Sequence, residues 1–497
     1  MQLSITMRLL SRRSFLINSA LVGGASAAAG LLRPSVWAAP AGANDAIRIA
    51  IIGLGTKGRQ HLKVLSARDG VRVTALCDLD RAALDSAVKS VDAKKVAPFT
   101  TTDPREIMSR RDVDAVIVAA GNHWHALLSV WACQAGKDVY CEKPMTHTVW
   151  EGRKMIEAAR KYGRIVQAGT QYRSEKGLND GIKFIHSGQL GKLKHVHAVY
   201  YGARGSIGRR APWYPTNLNY DLFCGPTPMV PLERDKLHYD WHWTWDTGNG
   251  ELGNNGVHIL DAALRIVQSD APPRRVLGVG GRYVFQDAAE TPNSQIAVYD
   301  FPNAPVIYEG RALSARPGAN YMDAVAGIRV GVVAYCEGGH LTGLTGSVAY
   351  DTAGKVIQKF AGDGGGLTHM SNFLSAIRSR NASELAAPVQ IGHVSASICH
   401  YGNISLRVGR PADASTIAQA LEKIPAAATL TAGLQKHLGV HGIDLTKQPL
   451  TLGEWLEVDA AQDTVASVGS GDQARLERAR YLVHEAQRPP FVIPEQV

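Results

Sequence analysis

The sequence predicts an α/β protein: an N-terminal, doubly wound parallel sheet of the Rossmann type, then a second α/β domain rich in strands. Three observations carry this. A glycine-rich turn, G-x-G-x-x-G, stands between an apolar strand and a helix at Gly53-Leu54-Gly55-Thr56-Lys57-Gly58. From residue 46 to 170, short buried-strand patterns alternate with helical ones. Further along, "RVLGVGGRYVF", "QIAVYDF", "PVIYEGR" and "GIRVGVVAYCEGGHL" read as strands separated by turns.

The elements follow in order. "IRIAII" (Ile47 to Ile52) is an apolar run expected of a strand buried on both faces. In the turn after it, Gly53 permits the tight bend and Gly55 lets a pyrophosphate approach the backbone. Gly58 allows close helix–strand packing, and Thr56 and Lys57 open a helix whose N-terminus attracts the anion. "VRVTALCDLD" is the second strand. Its terminal Asp78 stands where an acid accepts hydrogen bonds from the adenosine ribose, which favours NAD over NADP. Arg81 nearby keeps NADP open. "VDAVIVAA" is a further strand, "GNHWH" a loop and "ALLSVWACQAG" a helix closed by Gly136. "DVYC" is a strand ending in Glu142-Lys143-Pro144. "WEGRKMIEAARKYG" is a helix and "RIVQAGTQ" a last strand. Ligands bind such sheets outside the carboxyl ends of the strands, so Gly121–His125, Glu142–Pro144 and Thr170–Arg173 fall at the expected crevice.

The termini differ from this body. Residues 1–39 hold Arg8, Arg12, Arg13 and Arg33 and no acid, and the twin arginine precedes an Ala/Gly-rich apolar stretch and the small residues of "SVWAAP". This is the layout of a Tat-type signal peptide, implying export to the periplasm and no stable membrane association after processing. Four of the net +10 charges belong to that segment. The rest forms no basic cluster, which argues against nucleic acid as a partner. The six cysteines form no CxxC and read as small core residues. No His/Cys/Asp/Glu spacing is distinctive of a metal site, and none is expected.

With GLGTKG, Asp78, GNHWH and EKP in this order, the chain resembles the glucose–fructose oxidoreductase/inositol dehydrogenase (Gfo/Idh/MocA) family. "GKDVYCEKPMTHTVWEGRKMIEAARKYGRIVQAGTQYRS" is similar to a Tat-exported bacterial branch of it. The resemblance implies a Rossmann domain at 46–170 and an α/β domain with a large, open, mainly antiparallel sheet at 171–410. Residues 411–497 are expected to be a peripheral extension. It also implies a bound NAD (NADP remains open), a carbohydrate substrate and a homo-oligomer. Lys143 would orient a substrate hydroxyl, Glu142 would fix Lys143 or a ribose, and Asn122, His125 and Gln171 would line the nicotinamide side. Pro144 makes a cis Lys143–Pro144 bond available.

In "HYDWHWTWDTGNGELGNNGVHILDAALRIV", the part from Asn254 reads as a helix with Asn254, His258 and Asp261 on one face. By the resemblance, His258 is the base that takes the hydroxyl proton. Asn254 stands where many relatives have an aspartate, and Asp261 is the candidate to supply the missing charge. Trp241, Trp243 and Trp245 alternate as on an extended segment, suited to stacking on a sugar or to packing. Three functions remain open: an exported oxidoreductase with retained cofactor, a glycosidase using transient oxidation by bound NAD, and a non-catalytic sugar-binding protein.

Overall fold

The computed structural model describes residues 46–91 and 97–497. The signal peptide expected at 1–39 lies outside the described residues. The apolar strand Ile47–Ile52 (β1) sits inside a six-stranded parallel sheet. The others are Val71–Cys77 (β2), Phe99–Thr101 (β3), Ala115–Val118 (β4), Asp138–Cys141 (β5) and Val166–Ala168 (β6). Their order is β3-β2-β1-β4-β5-β6. Every residue of β4 and β5 is buried, as helices on both faces require. The helices are Thr56–Ser66 (α1), Arg81–Lys89 (α2), Pro104–Ser109 (α3), Asn122–Gln134 (α4) and Val149–Lys161 (α5). Strand order reverses between β1 and β4, which opens a crevice at their carboxyl ends.

One expectation fails here. Asn122–His125 is not a loop but the first turn of α4, with Gly121 as the residue before it. Gly121 has no side chain to cap the helix. The turn is instead held by tertiary bonds from its buried side chains, which sequence periodicity does not report.

The second sheet has twelve strands among the described residues. Leu193–Tyr201 (β7), Arg275–Gly281 (β8), Ser294–Asp300 (β9), Val306–Arg311 (β10), Val330–Cys336 (β11), Gly339–Leu344 (β12), Gly346–Asp351 (β13) and Val356–Phe360 (β14) form its body. β7 and β10 pair in parallel, and the other contacts are antiparallel. The helices Val257–Ile266 and Val389–Arg407 pack on one face around Tyr299, Tyr308 and Tyr401.

The C-terminal segment is not peripheral. Arg410–Ala412 (β15) and Leu450–Leu452 (β16) extend the sheet from β8, and Leu456–Asp459 (β17) pairs with both β8 and Thr464–Val468 (β18). The helices Ala414–Ala420 and Pro425–Val440 cover the other face of β8, β9 and β10. Its last residues then return to the Rossmann domain: Phe491, Ile493 and Val497 are buried in the core with Trp124 and Met155. Phe491 meets Trp124 edge-on at 5.4 Å, and the ammonium of Lys154 donates to the Glu495 carbonyl at 2.6 Å. Full burial of one such aromatic is worth about 1.5–3 kcal/mol. "RPPFVIPEQV" has no helix or strand period, so only its contacts reveal that it belongs to the core.

Candidate functional site

A cleft of about 780 Å³ runs along the crevice, within the usual range of ligand sites. At one end stands the glycine turn, whose three glycines have separate physical reasons. Gly53 has φ +88°, and a Cβ there would come 2.4 Å from the Ala119 carbonyl oxygen. A Cβ on Gly58 would sit 1.8 Å from the carbonyl oxygen of Gly53. Gly55 has nothing within 4 Å, so its missing side chain leaves room for a ligand and not for protein. α1 starts directly after Gly55 with no side chain capping it, and Thr56 and Lys57 line the cleft with Gly53 and Gly55. Uncapped first-turn amides beside an open glycine fit a diphosphate.

Asp78 lines the cleft, but its carboxylate already works within the chain. It accepts from the N–H of Leu54 at 2.6 Å and of Asp80 at 2.9 Å, tying β2 to the glycine turn. Burial raises its carboxyl despite these bonds. Asp80 also lines the cleft and is bonded by His238 at 2.8 Å. Arg81 turns to Asp85 on the surface, away from the cleft. Two acids at this end suit the free ribose hydroxyls of NAD, while Arg59 also lines the cleft.

The EKP segment lies at the other end. Glu142 is 4% exposed, and its Oε1 accepts from His61 Nε2 at 2.8 Å. Burial works against its charge, yet the His61 bond and the nearby Lys57 hold the carboxyl well below its ordinary range. The Lys143–Pro144 peptide is cis. His125 Nδ1 lies 2.7 Å from the Pro144 carbonyl oxygen and its Nε2 3.0 Å from that of Ala120, so it braces the loop from below. Asn122 lines the cleft and donates to Asn249 Oδ1 at 3.0 Å.

The Lys143 ammonium donates to the backbone carbonyl of Asn254 at 2.8 Å and to its side-chain oxygen at 3.2 Å. This contact depends on local distortion. Leu252–Gly256 is a π-helical turn that leads into the α-helix Val257–Ile266. Such turns are rare and occur often at functional sites. Asn254 sits at the middle of this turn. It faces Lys143, while its Nδ2 donates to Glu251 at 3.3 Å. Glu251 also accepts from Arg204 Nε at 2.9 Å and bonds the Asn255 amide. Burial lowers the basicity of Lys143, with Glu142 and Glu251 acting in opposition.

His258 is 7% exposed and packs edge-on against Tyr172 at 5.1 Å. Its Nδ1 is buried with no hydrogen-bond partner among the described residues. Burial first, then the Lys143 ammonium, push its pKa well below the ordinary value, so the ring is neutral at physiological pH. Asp261 does not supply the expected charge. Its carboxylate is taken by Arg173 Nε at 2.8 Å and by the Ser395 hydroxyl at 2.5 Å, because the helix turns it toward Val389–Arg407.

The alternating tryptophans do not share a face. Asp240–Trp243 is a 3₁₀ turn, which sends Trp241 to the cleft, Trp243 inward and Trp245 under the Arg407 guanidinium. Tyr200, Arg204, Tyr239 and His242 complete that wall. Gly58, Gln171 and His258 are not among the residues lining this cleft. Gly58 serves the glycine turn from behind, and Gln171 begins a 3₁₀ turn after β6. His123 and His147 bond backbone carbonyls of Phe223 and Trp245 and are framework. Sequence reading missed His61, Arg204 and Glu251. Glu251 lay in the glycine-rich "GNGELGNNG", where a lone acid was a usable signal, and His61 follows the glycine motif on α1. Arg204 had none.

Two family models match the chain. Residues 47–170 match an oxidoreductase family with an NAD-binding Rossmann fold, and residues 199–327 match its C-terminal alpha/beta domain. Together they cover just over half of the chain. The chain belongs to the Gfo/Idh/MocA oxidoreductase family.

The chain is 36% identical to an inositol 2-dehydrogenase of Salmonella typhimurium over 159 residues, 32% of this chain and 46% of that protein. It is 29% identical to a glycosyl hydrolase family 109 protein of Shewanella baltica over 163 residues, 31% of this chain and 35% of the relative. The match spans less than half the length of either. Among solved structures, the WlbA dehydrogenase of Bordetella pertussis, in complex with NADH and UDP-GlcNAcA, superposes with a TM-score of 0.52 at 17% identity. That match covers 71% of this chain and 94% of the other. GenD2 from gentamicin A biosynthesis, in complex with NAD, does so at 0.52 and 17%, over 72% and 93%. These likenesses carry the fold. The Rossmann domain is NAD-binding by family, and its open Gly55, uncapped helix and paired acids fit that cofactor.

Proposed function

We propose that the protein is an NAD-dependent oxidoreductase acting on a carbohydrate or polyol. The observation that carries this is Lys143 on the wall of the cleft, held by Asn254, with the buried, neutral His258 behind that wall and close enough to feel the Lys143 charge. Bound NAD supplies the hydride acceptor for the substrate carbon. Lys143 holds the oxygen of the reacting hydroxyl and favours the negative charge that grows on it. His258, neutral and buried beside Lys143, is the base proposed for the hydroxyl proton. Trp241 and Tyr239 offer apolar ring faces to a sugar. The inositol 2-dehydrogenase relative supports this substrate class.

A second reading is favoured by the glycosyl hydrolase family 109 relative. In this reading NAD, when bound, would accept a hydride from one sugar carbon and return it after the acidified neighbouring proton is removed, the glycosidic leaving group eliminates and water adds. No net redox change results.

The reading includes export. The twin arginine Arg12-Arg13 supports passage through the Tat machinery as a folded protein, with NAD captured beforehand and retained in the periplasm. The test is to purify the periplasmic protein, assay released nucleotide by mass, and follow 340 nm absorbance on adding polyols, sugars and glycosides. A lasting rise with a polyol or sugar supports the dehydrogenase. Cleavage of a glycoside with no lasting rise supports the second reading. Absence of nucleotide, with none taken up from added NAD, overturns both.

A further inference from the structure

Lys143 and Asn254 stand 111 residues apart in the chain and meet at 2.8 and 3.2 Å. An asparagine brings no charge to this meeting. Its amide can also turn over, presenting nitrogen to the ammonium in place of oxygen. Something must set its orientation and offset a buried cation. The groups facing the pair are Glu142 from the end of β5, Lys57 from α1, Arg204 after β7, Glu251 just before the π-turn, and the imidazoles of His242 and His258. Glu142 is occupied by His61 and by the backbone N–H of Lys143 at 3.2 Å. Glu251 is the one of these acids that bonds Asn254 itself.

We propose that Glu251 is a positioning residue for the Lys143–Asn254 pair, the carboxylate set just before the π-turn beside an uncharged asparagine. It accepts from Asn254 Nδ2 and thereby presents the Asn254 oxygen to the Lys143 ammonium. It accepts equally from Arg204 Nε at 2.9 Å, and Arg204 Nη2 donates to the Tyr200 hydroxyl at 2.8 Å. One buried carboxylate, 7% exposed, thus links Lys143 to the cleft wall of Arg204 and Tyr200. The π-turn is what permits this. The turn leaves the Asn254 carbonyl open to Lys143 while Glu251, three residues earlier, reaches the same amide. Loss of the carboxylate leaves the Asn254 amide free to flip and the Arg204 guanidinium uncompensated beside a second cation.

The inference rests on the oxidoreductase reading for its purpose but not for its test. The test uses the NAD-loaded protein and competitive acetylation with acetic anhydride across pH, with Lys143 followed by peptide mass spectrometry. Glu251→Gln is expected to raise labelling of Lys143 near neutral pH roughly tenfold relative to surface lysines, because a buried ammonium loses an opposing charge. Glu251→Asp keeps the charge but shortens the reach to Asn254. It is expected to restore parent-like labelling while lowering the rate of bound-NAD reduction with little change in KM. Should Glu251→Gln fail to fold, the aspartate variant still decides: parent-like rate and labelling overturn the proposal. Unchanged labelling in a folded Glu251→Gln variant overturns it too. A protein that reduces NAD with no carbohydrate, yet shows the rise in Lys143 labelling, retires the proposed activity and upholds the role of Glu251.

Discussion

The two ends of the cleft are built on different principles. The glycine end is local: one turn, Gly53 to Gly58, and the start of α1 make it, with Asp78 stitched to Leu54 at 2.6 Å. Its chemistry is that of backbone amides and space. The reacting end is assembled from sequence-distant parts: the EKP segment after β5, His61 on α1, Arg204 after β7 and the π-turn before the helix Val257–Ile266. Its chemistry is that of buried charged side chains holding one another.

The largest break in this comparison comes from Lys143→Met. Removing the donor to the reacting oxygen is expected to slow hydride transfer about 10²–10³-fold while the glycine end still holds NAD. Single-turnover absorbance and nucleotide stoichiometry check the two halves separately; loss of bound NAD would show that the ends are not independent. His258→Ala is expected to cost about 10²-fold or more in the same assay, with turnover partly rescued by added imidazole. A variant as active as the parent would remove the base from the mechanism.

The glycines sharpen the comparison in the other direction. Gly58→Ala forces a methyl to 1.8 Å from a backbone oxygen and is expected to cost about 1–3 kcal/mol of stability. Gly55→Ala meets nothing within 4 Å and is expected to leave the melting temperature near that of the parent while weakening NAD binding. Thermal melts beside NAD titrations separate the two; equal destabilisation would contradict the assigned roles.

Acid should act mainly through the framework behind the reacting end. Burial lowers His123 to about 3, His147 to about 4 and His400 to about 3. Each takes a proton more readily unfolded than folded. Their contribution is full above about pH 6.5 and is lost as pH falls toward those values. Glu151 acts oppositely: burial raises it to about 7, so its contribution is full below its unfolded value and fades as pH rises through 7. Three groups outweigh one, and a melting temperature that falls steadily from pH 6.5 to 4 is the expected result. The smallest effect belongs to His238→Ala. Its ring is 61% exposed, so losing its bond to Asp80 is expected to cost under about 1 kcal/mol. Faster NAD release without a change in melting temperature would show that this link serves the cleft.

Much of this molecule was legible without coordinates. Apolar runs such as "IRIAII" and "AVIV" are short-range signals, and so is the spacing of three glycines within six residues. Those signals determined the Rossmann sheet, its crevice, and the places of Gly53, Gly55, Asp78 and Glu142-Lys143. Tertiary structure decided the rest. It drew Asp261 away to Arg173, split the three tryptophans among three environments, and seated Phe491 beside Trp124. It also made Asn254 the partner of Lys143, by way of a π-turn that no residue pattern announces. The physical reason is range. Periodicity and turn sterics are written in neighbouring residues, whereas a buried charge finds its partner through packing between segments more than a hundred residues apart, and only the folded chain brings those together.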